Sequence, residues 1–332
     1  MTDIRFLASA EIDGVATPAE YVAAVREGYR EYGSGAPAAP RTKLECDEPP
    51  GMLTGYMAML PESGAMGGYT YAAGFGDRDA HFLLPVFDPD SGAPIALLDG
   101  ASLNPLKTGA TGAVAVDELA RTDASELGLI GSGAQAAGQL RTTATVRNLD
   151  RVAVYSPTPD HRKSFAREMD DRFDATVRAV DSAAAAVDGV DIVVTATRAR
   201  EPVFDGEDLA PGTHVTAMGQ YDPDCREIDA TTVARSTYVP DMRARIDRDA
   251  GAYLGALADG AIDEGHVHAD LGDVVAGAAP GRQSDEEITV FDSGGTGIET
   301  VAAAAMLVEK ATDRNLGTII DLAPASEALT GR

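Results

Sequence analysis

The chain has 332 residues, 44% of them hydrophobic, enough for two domains of ordinary size with their own cores. Asp plus Glu number 53 against 27 for Lys plus Arg, and the net charge of −26 argues against nucleic acid and anionic membrane as partners. No apolar run is long enough to span a bilayer and no charged-then-apolar leader opens the chain, so a soluble cytoplasmic protein is expected.

Lysine occurs only at Lys43, Lys107, Lys163 and Lys310, and the acid is dispersed along the chain. That pattern fits a halophile's cytoplasm, where salt screens self-repulsion, and it predicts poor folding at low salt. Cys46 and Cys225 form neither a disulfide framework nor a metal motif, and each is expected to be a buried thiol. His266 and His268, with Asp270 nearby, lack the further ligands a metal needs, so no metal is expected.

Residues 1–16 read as a strand and turn. Thr17, Pro18 and Glu20 make a capping box with proline at the first helical position. Val22, Val25 and Tyr29 carry helical spacing to Tyr32, where Gly33 and Gly35 stop it. A loop with several prolines then carries Arg41 and Lys43. Residues 52–59 and the glycine-rich 64–76 read as strand with close backbone approach. The apolar runs 82–87 and 95–98, separated by DPDSGAP, read as a hairpin. Asn104 and Pro105 open a helix toward Leu119, and the polar 121–125 reads as a hinge.

From Glu126 onward strand and helix patterns alternate. Leu127, Leu129 and Ile130 form an apolar strand, and Gly131, Gly133 and Ala136 form a G-x-G-x-x-A turn into an alanine-rich helix. Gly131 permits the tight turn, Gly133 lets backbone approach a pyrophosphate, and Ala136 lets the helix pack on the strand. Ala134 and Gln135 begin the helix, where N–H groups and the positive dipole end face a phosphate. Such a turn also arises by chance in a chain rich in glycine and alanine. The apolar run 152–155 that follows the helix is the context a βαβ unit requires. Strands at 192–196, 214–218, 238–240 and 288–291, with helices at 164–173, 183–187, 254–257, 271–276 and 298–314, complete an α/β, doubly wound parallel sheet.

A dinucleotide is therefore the expected cofactor. The second strand ends in Tyr155, Ser156, Pro157 and Thr158, with no acid to bond a ribose 2′-hydroxyl. Ser156, Thr158, Arg162 and Lys163 are suited to a 2′-phosphate, which favours NADP(H), with NAD(H) the alternative. The plainer reading makes Arg162 and Lys163 an exposed helix face.

With these segments placed, the chain resembles the ornithine cyclodeaminase/mu-crystallin family along nearly its whole length. The resemblance is carried by GYMAMLPE (55–62), SGAPIALLDG (91–100), LNPLKTGATGA (103–113), LIGSGAQA (129–136) and DIVVTATRAREPVF (191–204). Further on it rests on PGTHVTAMG (211–219), REID (226–229), LGDVVAGAAPGR (271–282) and TVFDSGGTGIE (289–299). It implies a Rossmann dinucleotide-binding domain at 121–293. It also implies a second, α+β domain from 1–120 plus 294–332 that binds substrate and forms a homodimer. The implied reaction is NAD(P)-dependent hydride transfer at the Cα–N bond of a small amino or imino acid, as in alanine dehydrogenases and imine reductases. Ornithine cyclodeamination is one alternative, and an NADP(H)-binding protein without turnover is another.

The resemblance also assigns residues. Arg41 falls at the family's N-terminal carboxylate-binding arginine. Lys107, followed by Thr108, stands where the family has a second arginine; lysine keeps the charge and loses the fork. Thr70 falls in the context that commonly carries a catalytic lysine, here Gly68, Tyr69 and Thr70, and is expected to bind substrate with Arg41 and Lys107. Tyr221 occupies the slot of the cyclodeaminase aspartate, and Asp222 follows it. Tyr221 can protonate an imine but is a weak base at neutral pH. Thr195, Ala196 and Thr197 are expected to line the nicotinamide ribose.

Overall fold

In the computed structural model, which describes residues 2–330, contacts divide the chain into two compact units. One comprises Met1–Asn104 with Thr296–Arg332, the other Pro105–Gly295. The reading from sequence draws its boundaries at 120 and 294, so the helix Asn104–Leu119 changes sides. The reason is local packing. A Cβ on Gly138 would lie 2.1 Å from the Pro105 carbonyl oxygen, and one on Gly109 would lie 2.5 Å from that of Gly138. Backbone touches backbone there, which only glycine permits.

The first unit is built on a seven-stranded sheet. Its strands are β1 (Thr2–Leu7), β2 (Thr42–Asp47), β3 (Pro50–Leu60), β4 (Ala65–Ala73), β5 (Leu83–Phe87), β6 (Pro94–Asp99) and β14 (Thr318–Leu322), in the order β14-β1-β6-β5-β4-β3-β2. The β5–β6 hairpin is the one expected from sequence. Alternation along β3 buries Thr54, Tyr56, Ala58 and Leu60 and exposes Leu53, Met57 and Met59. Helix Pro18–Gly33 starts on the expected capping box: Thr17 Oγ1 accepts from Glu20 N, and Glu20 Oε2 accepts from Thr17 N at 2.7 Å. Helix Gly297–Asp313 starts on a second such box at Thr296 and Glu299.

Two strands of this sheet escape the sequence pattern. The β2 segment lies within the expected loop, and β14 follows the last expected helix. Both are edge strands. In β2 Lys43, Glu45 and Asp47 alternate with only two apolar residues, Leu44 and Cys46, too short an apolar set to mark a strand, and charge on an edge blunts stray pairing. Cys46 lies on β2 and is exposed, contrary to the expected buried thiol, whereas Cys225 is buried. Residues 9–12 also form a short helix in place of the expected turn.

The second unit carries β7 (Glu126–Ile130), β8 (Arg151–Tyr155), β9 (Thr176–Ala179), β10 (Ile192–Thr195), β11 (His214–Ala217), β12 (Ser236–Pro240) and β13 (Ile288–Asp292). All neighbouring pairs are parallel, in the order β9-β8-β7-β10-β11-β13-β12. Ile192 and Val194 enter the apolar layer on one face while Val193 enters the layer on the other. This is the doubly wound α/β fold, and its direction of winding reverses between β7 and β10. Strand β9 was not anticipated, because TVRA offers too short an apolar signal.

Candidate functional site

Ligands of doubly wound sheets bind beyond the carboxyl ends of the strands at the winding reversal, and the G-x-G-x-x-A turn lies there. Gly131 has φ of +133°, and a Cβ on it would lie 2.5 Å from the Ala196 carbonyl oxygen across the reversal. Gly133 is exposed, with nothing within 4 Å of its own Cβ position. It caps helix Ala134–Thr143 without a side-chain bond to the first turn. No side chain caps the first-turn N–H groups, which leaves the helix N-terminus with donors suited to a pyrophosphate. Gln135 Oε1, buried beside them, has no hydrogen-bond partner. These residues fit a dinucleotide.

At the end of β8, Ser156 is buried and its hydroxyl pairs with that of Ser132 at 2.8 Å. Thr158 is exposed, immediately before helix Pro159–Asp170, and makes no side-chain capping bond. Arg162 departs from both expectations. It is buried, neither an open phosphate ligand nor an exposed face. Its guanidinium donates to the Ser156 carbonyl at 3.1 Å and to Asp181 at 2.8 Å, and lies 5.6 Å from the Tyr155 ring centre. Lys163 beside it is exposed.

The ends of β10 and β11 meet on one carboxylate. Glu227 is buried; its Oε2 accepts from Thr195 Oγ1 at 2.9 Å and Gly219 N at 2.6 Å, and its Oε1 accepts from Thr197 N at 2.6 Å. Burial pushes its carboxyl above the ordinary glutamate value, against hydrogen bonds that favour the charged form. The Thr195 hydroxyl is therefore buried and committed to Glu227, which removes it from the expected ribose lining. Ala196 and Thr197 are half-buried. Gln220 Nε2 donates to the Ala199 carbonyl at 2.7 Å, tying the same two loops again. Tyr221 is half-buried on that loop, and Asp222 Oδ1 accepts from Asp224 N at 2.9 Å in a local turn. Lys107 lies one turn into helix Asn104–Leu119 and is almost wholly buried.

In the first unit, Arg41 Nη1 donates to the Tyr71 hydroxyl at 2.8 Å, and its guanidinium carbon lies 4.5 Å from the Tyr56 ring centre. Tyr56 pairs with Tyr69 in register and packs edge-on against it. Tyr69 and Tyr71 lie on that face of β4, and Thr70 between them points to the other. Thr70 pairs with Gly55 and Leu83, and Leu83 is exposed. The expected grouping of Thr70 with Arg41 is thus corrected by the pleat. The lysine context on the arginine's face holds Tyr69, whose buried hydroxyl donates to the Gly100 carbonyl at 2.7 Å. Burial holds that hydroxyl's pKa well above the ordinary tyrosine value.

The model of the ornithine cyclodeaminase/mu-crystallin family matches residues 4–315. The chain belongs to this family. It is 33% identical to a Delta(1)-pyrroline-2-carboxylate reductase of Bacillus cereus over 74% of this chain and 76% of that one. The solved Delta(1)-pyrroline-2-carboxylate reductase of Thermococcus litoralis, in complex with NADH and L-proline, superposes with a TM-score of 0.90 at 33% identity, over 96% of this chain and 100% of that one. An archaeal alanine dehydrogenase dimer with bound NAD gives a TM-score of 0.90 at 31% identity, over 97% and 100%.

Two groups in this ornithine cyclodeaminase/mu-crystallin protein lie outside the residues singled out from sequence. Glu227 sits in the REID segment, where spacing alone gives it no partner. The other is centred on Arg245, which is buried at the ends of β12 and β13. It donates to Asp241 at 2.5 Å, to Asp249 at 2.9 Å and to Asp292 Oδ1 at 2.5 Å. Tyr238 also bonds Asp292, and Asp241 Oδ2 accepts from Gly294 N at 2.8 Å and Gly295 N at 2.9 Å. Burial alone would lower the Arg245 pKa; the three carboxylates outweigh it and hold it well above the ordinary arginine value. The spacing of Asp241, Arg245 and Asp249 at i, i+4 and i+8 was the available signal. His266 and His268 bond separate carbonyls, those of Val233 and Pro280.

Proposed function

We propose that this chain reduces a small imino acid with a nicotinamide dinucleotide, or oxidises the matching amino acid, by hydride transfer at the Cα–N bond. The observation that carries the reading is the open Gly131–Ala134 turn at the winding reversal of a parallel sheet. Relatives whose names are pyrroline-2-carboxylate reductase and alanine dehydrogenase support the substrate class. A bound nicotinamide supplies the hydride; the protein supplies orientation and charge.

The dinucleotide is assigned to Gly131, Gly133, Ala134 and Gln135, with Ala196 and Thr197 toward the nicotinamide end. Lack of an acid from Tyr155 to Thr158 supports NADP(H), with Ser156 and Thr158 toward the 2′-phosphate. Lys107 is assigned to the substrate carboxylate as a point charge, and Arg41 carries the fork that suits a carboxylate. Imine reduction needs one proton at nitrogen, and Tyr221 is its assigned donor, since Asp222 is engaged with Asp224 N.

The outward face of the first unit's sheet carries exposed Leu44, Leu53, Met57, Met59 and Leu83, which supports a homodimer that covers it. The dispersed charge of −26 supports folding at high salt. Among the described residues, no helix is long and apolar enough to cross a membrane.

The test is made at molar KCl. Purified protein is given cyclic and linear imino acids with NADPH or NADH, and the matching amino acids and ornithine with NADP+ or NAD+, and reduced-nicotinamide absorbance and ammonia are followed together. Loss of absorbance on an imino acid is expected, with NADPH preferred. Ammonia and proline from ornithine without net absorbance change would replace this reading with cyclodeamination.

A further inference from the structure

We propose that Glu227 is a positioning residue for hydride transfer: one carboxylate clamps the loop after β10 to the loop after β11, fixing the nicotinamide end against the proton donor. The proposal rests on the dinucleotide and Tyr221 assignments above.

Three bonds carry it. Thr195 Oγ1 and Thr197 N belong to the β10 end, and Gly219 N opens the loop that holds Tyr221. Two of the three partners are backbone amides, so the clamp fixes main chain, and through it every side chain the loops present. Thr197 and Tyr221 project from segments that neither strand ladder reaches, since β10 ends at Thr195 and β11 at Ala217. Without Glu227, the half-buried Thr197 and Gly219 amides would lose this acceptor. Gln220 Nε2 on the Ala199 carbonyl is a secondary tie across the same gap. The Gly131–Ala134 turn, by contrast, donates no hydrogen bond to Glu227, whose donors are Thr195, Thr197 and Gly219, so the pyrophosphate end should not feel its loss. Displacement of a reacting group by about an ångström costs on the order of a hundredfold in rate, and a clamp of this kind controls displacements on that scale.

Glu227→Gln is isosteric, but its amide nitrogen must face a donor that now meets the carboxylate. The expected result is a folded protein that binds adenosine 2′,5′-bisphosphate as the wild type does, within about threefold. NADPH should lose its bound-state nicotinamide fluorescence enhancement, and kcat should fall about ten- to a hundredfold with little change in KM. Deuterium at the nicotinamide C4 should slow kcat more in the variant than in the wild type. Glu227→Asp, which keeps the charge, should recover part of both signals. A lowered melting temperature with unchanged kcat and nicotinamide fluorescence would overturn the proposal and leave Glu227 a stabilising residue. If Glu227→Gln does not fold, Thr195→Val removes one of the three bonds at constant shape. It should lower kcat about threefold or more, and no change there would equally overturn the clamp. Failure of wild-type protein to bind either NADPH or NADH is a separate outcome: it removes the dinucleotide assignment and this inference with it.

Discussion

The two sheets of this protein place chemistry in different ways. The parallel sheet concentrates it at strand ends, where loops are tied by buried carboxylates: Glu227 across β10 and β11, Asp241 and Asp292 around Arg245 beyond β12 and β13. The mixed sheet separates it by face. Tyr56, Tyr69 and Tyr71 share one side with Arg41, while Thr70, Leu53 and Met57 share the other. At a strand end a site depends on backbone amides and their acceptors. On a sheet face it depends on parity, where a one-residue slip moves a side chain to the wrong side.

The sharpest attack on the strand-end side is Arg245→Met. It leaves three carboxylates around a neutral side chain, so unfolding free energy should fall by about 3–5 kcal/mol. Urea titration at high salt measures it, and a loss below about 1 kcal/mol would mean the network is not a lock. Gly131→Ala comes next. At φ +133°, with the new Cβ 2.5 Å from the Ala196 carbonyl oxygen, the turn must deform. Dinucleotide affinity should drop on the order of a hundredfold, about 2.7 kcal/mol, in a fluorescence titration.

Acid probes the layer beneath the strand ends. His214 is fully buried on β11 between the hydroxyls of Thr289 at 2.9 Å and Thr216 at 3.0 Å. Burial, helped by Arg282 and Arg147, lowers its pKa from 6.5 to about 3. The unfolded chain therefore binds a proton between these two values that the folded chain refuses. Stability is retained above pH 6.5 and is lost as pH falls toward 3. At about pH 5 the His214 share of the loss is about 2 kcal/mol. Comparing melting curves of wild type and His214→Asn across this window isolates that share; parallel curves would show that His214 contributes none.

The smallest effect belongs to the mixed sheet. Tyr71→Phe removes the hydroxyl that accepts from Arg41 and keeps the ring. If Arg41 holds the substrate carboxylate, KM should rise several-fold, about 1 kcal/mol, at constant kcat. An unchanged KM would detach Tyr71 from substrate binding.

What could be read from sequence follows the same division. The parallel sheet was legible because Leu127 to Ala136 is a local signal: apolar strand, glycine turn and helix in consecutive residues. The capping box at Thr17 and the hairpin around DPDSGAP are legible for the same reason. Glu227 was not, because its partners lie at the ends of other strands, and Arg245 was legible only in its neighbours Asp241 and Asp249, since Asp292 reaches it through the fold. Arg162 misled because a basic residue one turn into a helix looks exposed, whereas this one folds back onto Ser156 and Asp181. Thr70 misled by parity, since the glycines before it hide the register that pairs Tyr69 with Tyr56. The edge strands β2 and β14 carry too little apolar alternation to announce themselves.

The most direct test of the account follows the hydride. The protein is incubated at molar KCl with a cyclic imino acid and NADPH deuterated at the nicotinamide C4 on the transferred face, and the product amino acid is examined by mass spectrometry and NMR. The account predicts one deuterium at Cα for each dinucleotide oxidised. Product formed without deuterium and without dinucleotide oxidation, or ornithine converted to proline and ammonia while the dinucleotide stays unchanged, would contradict it.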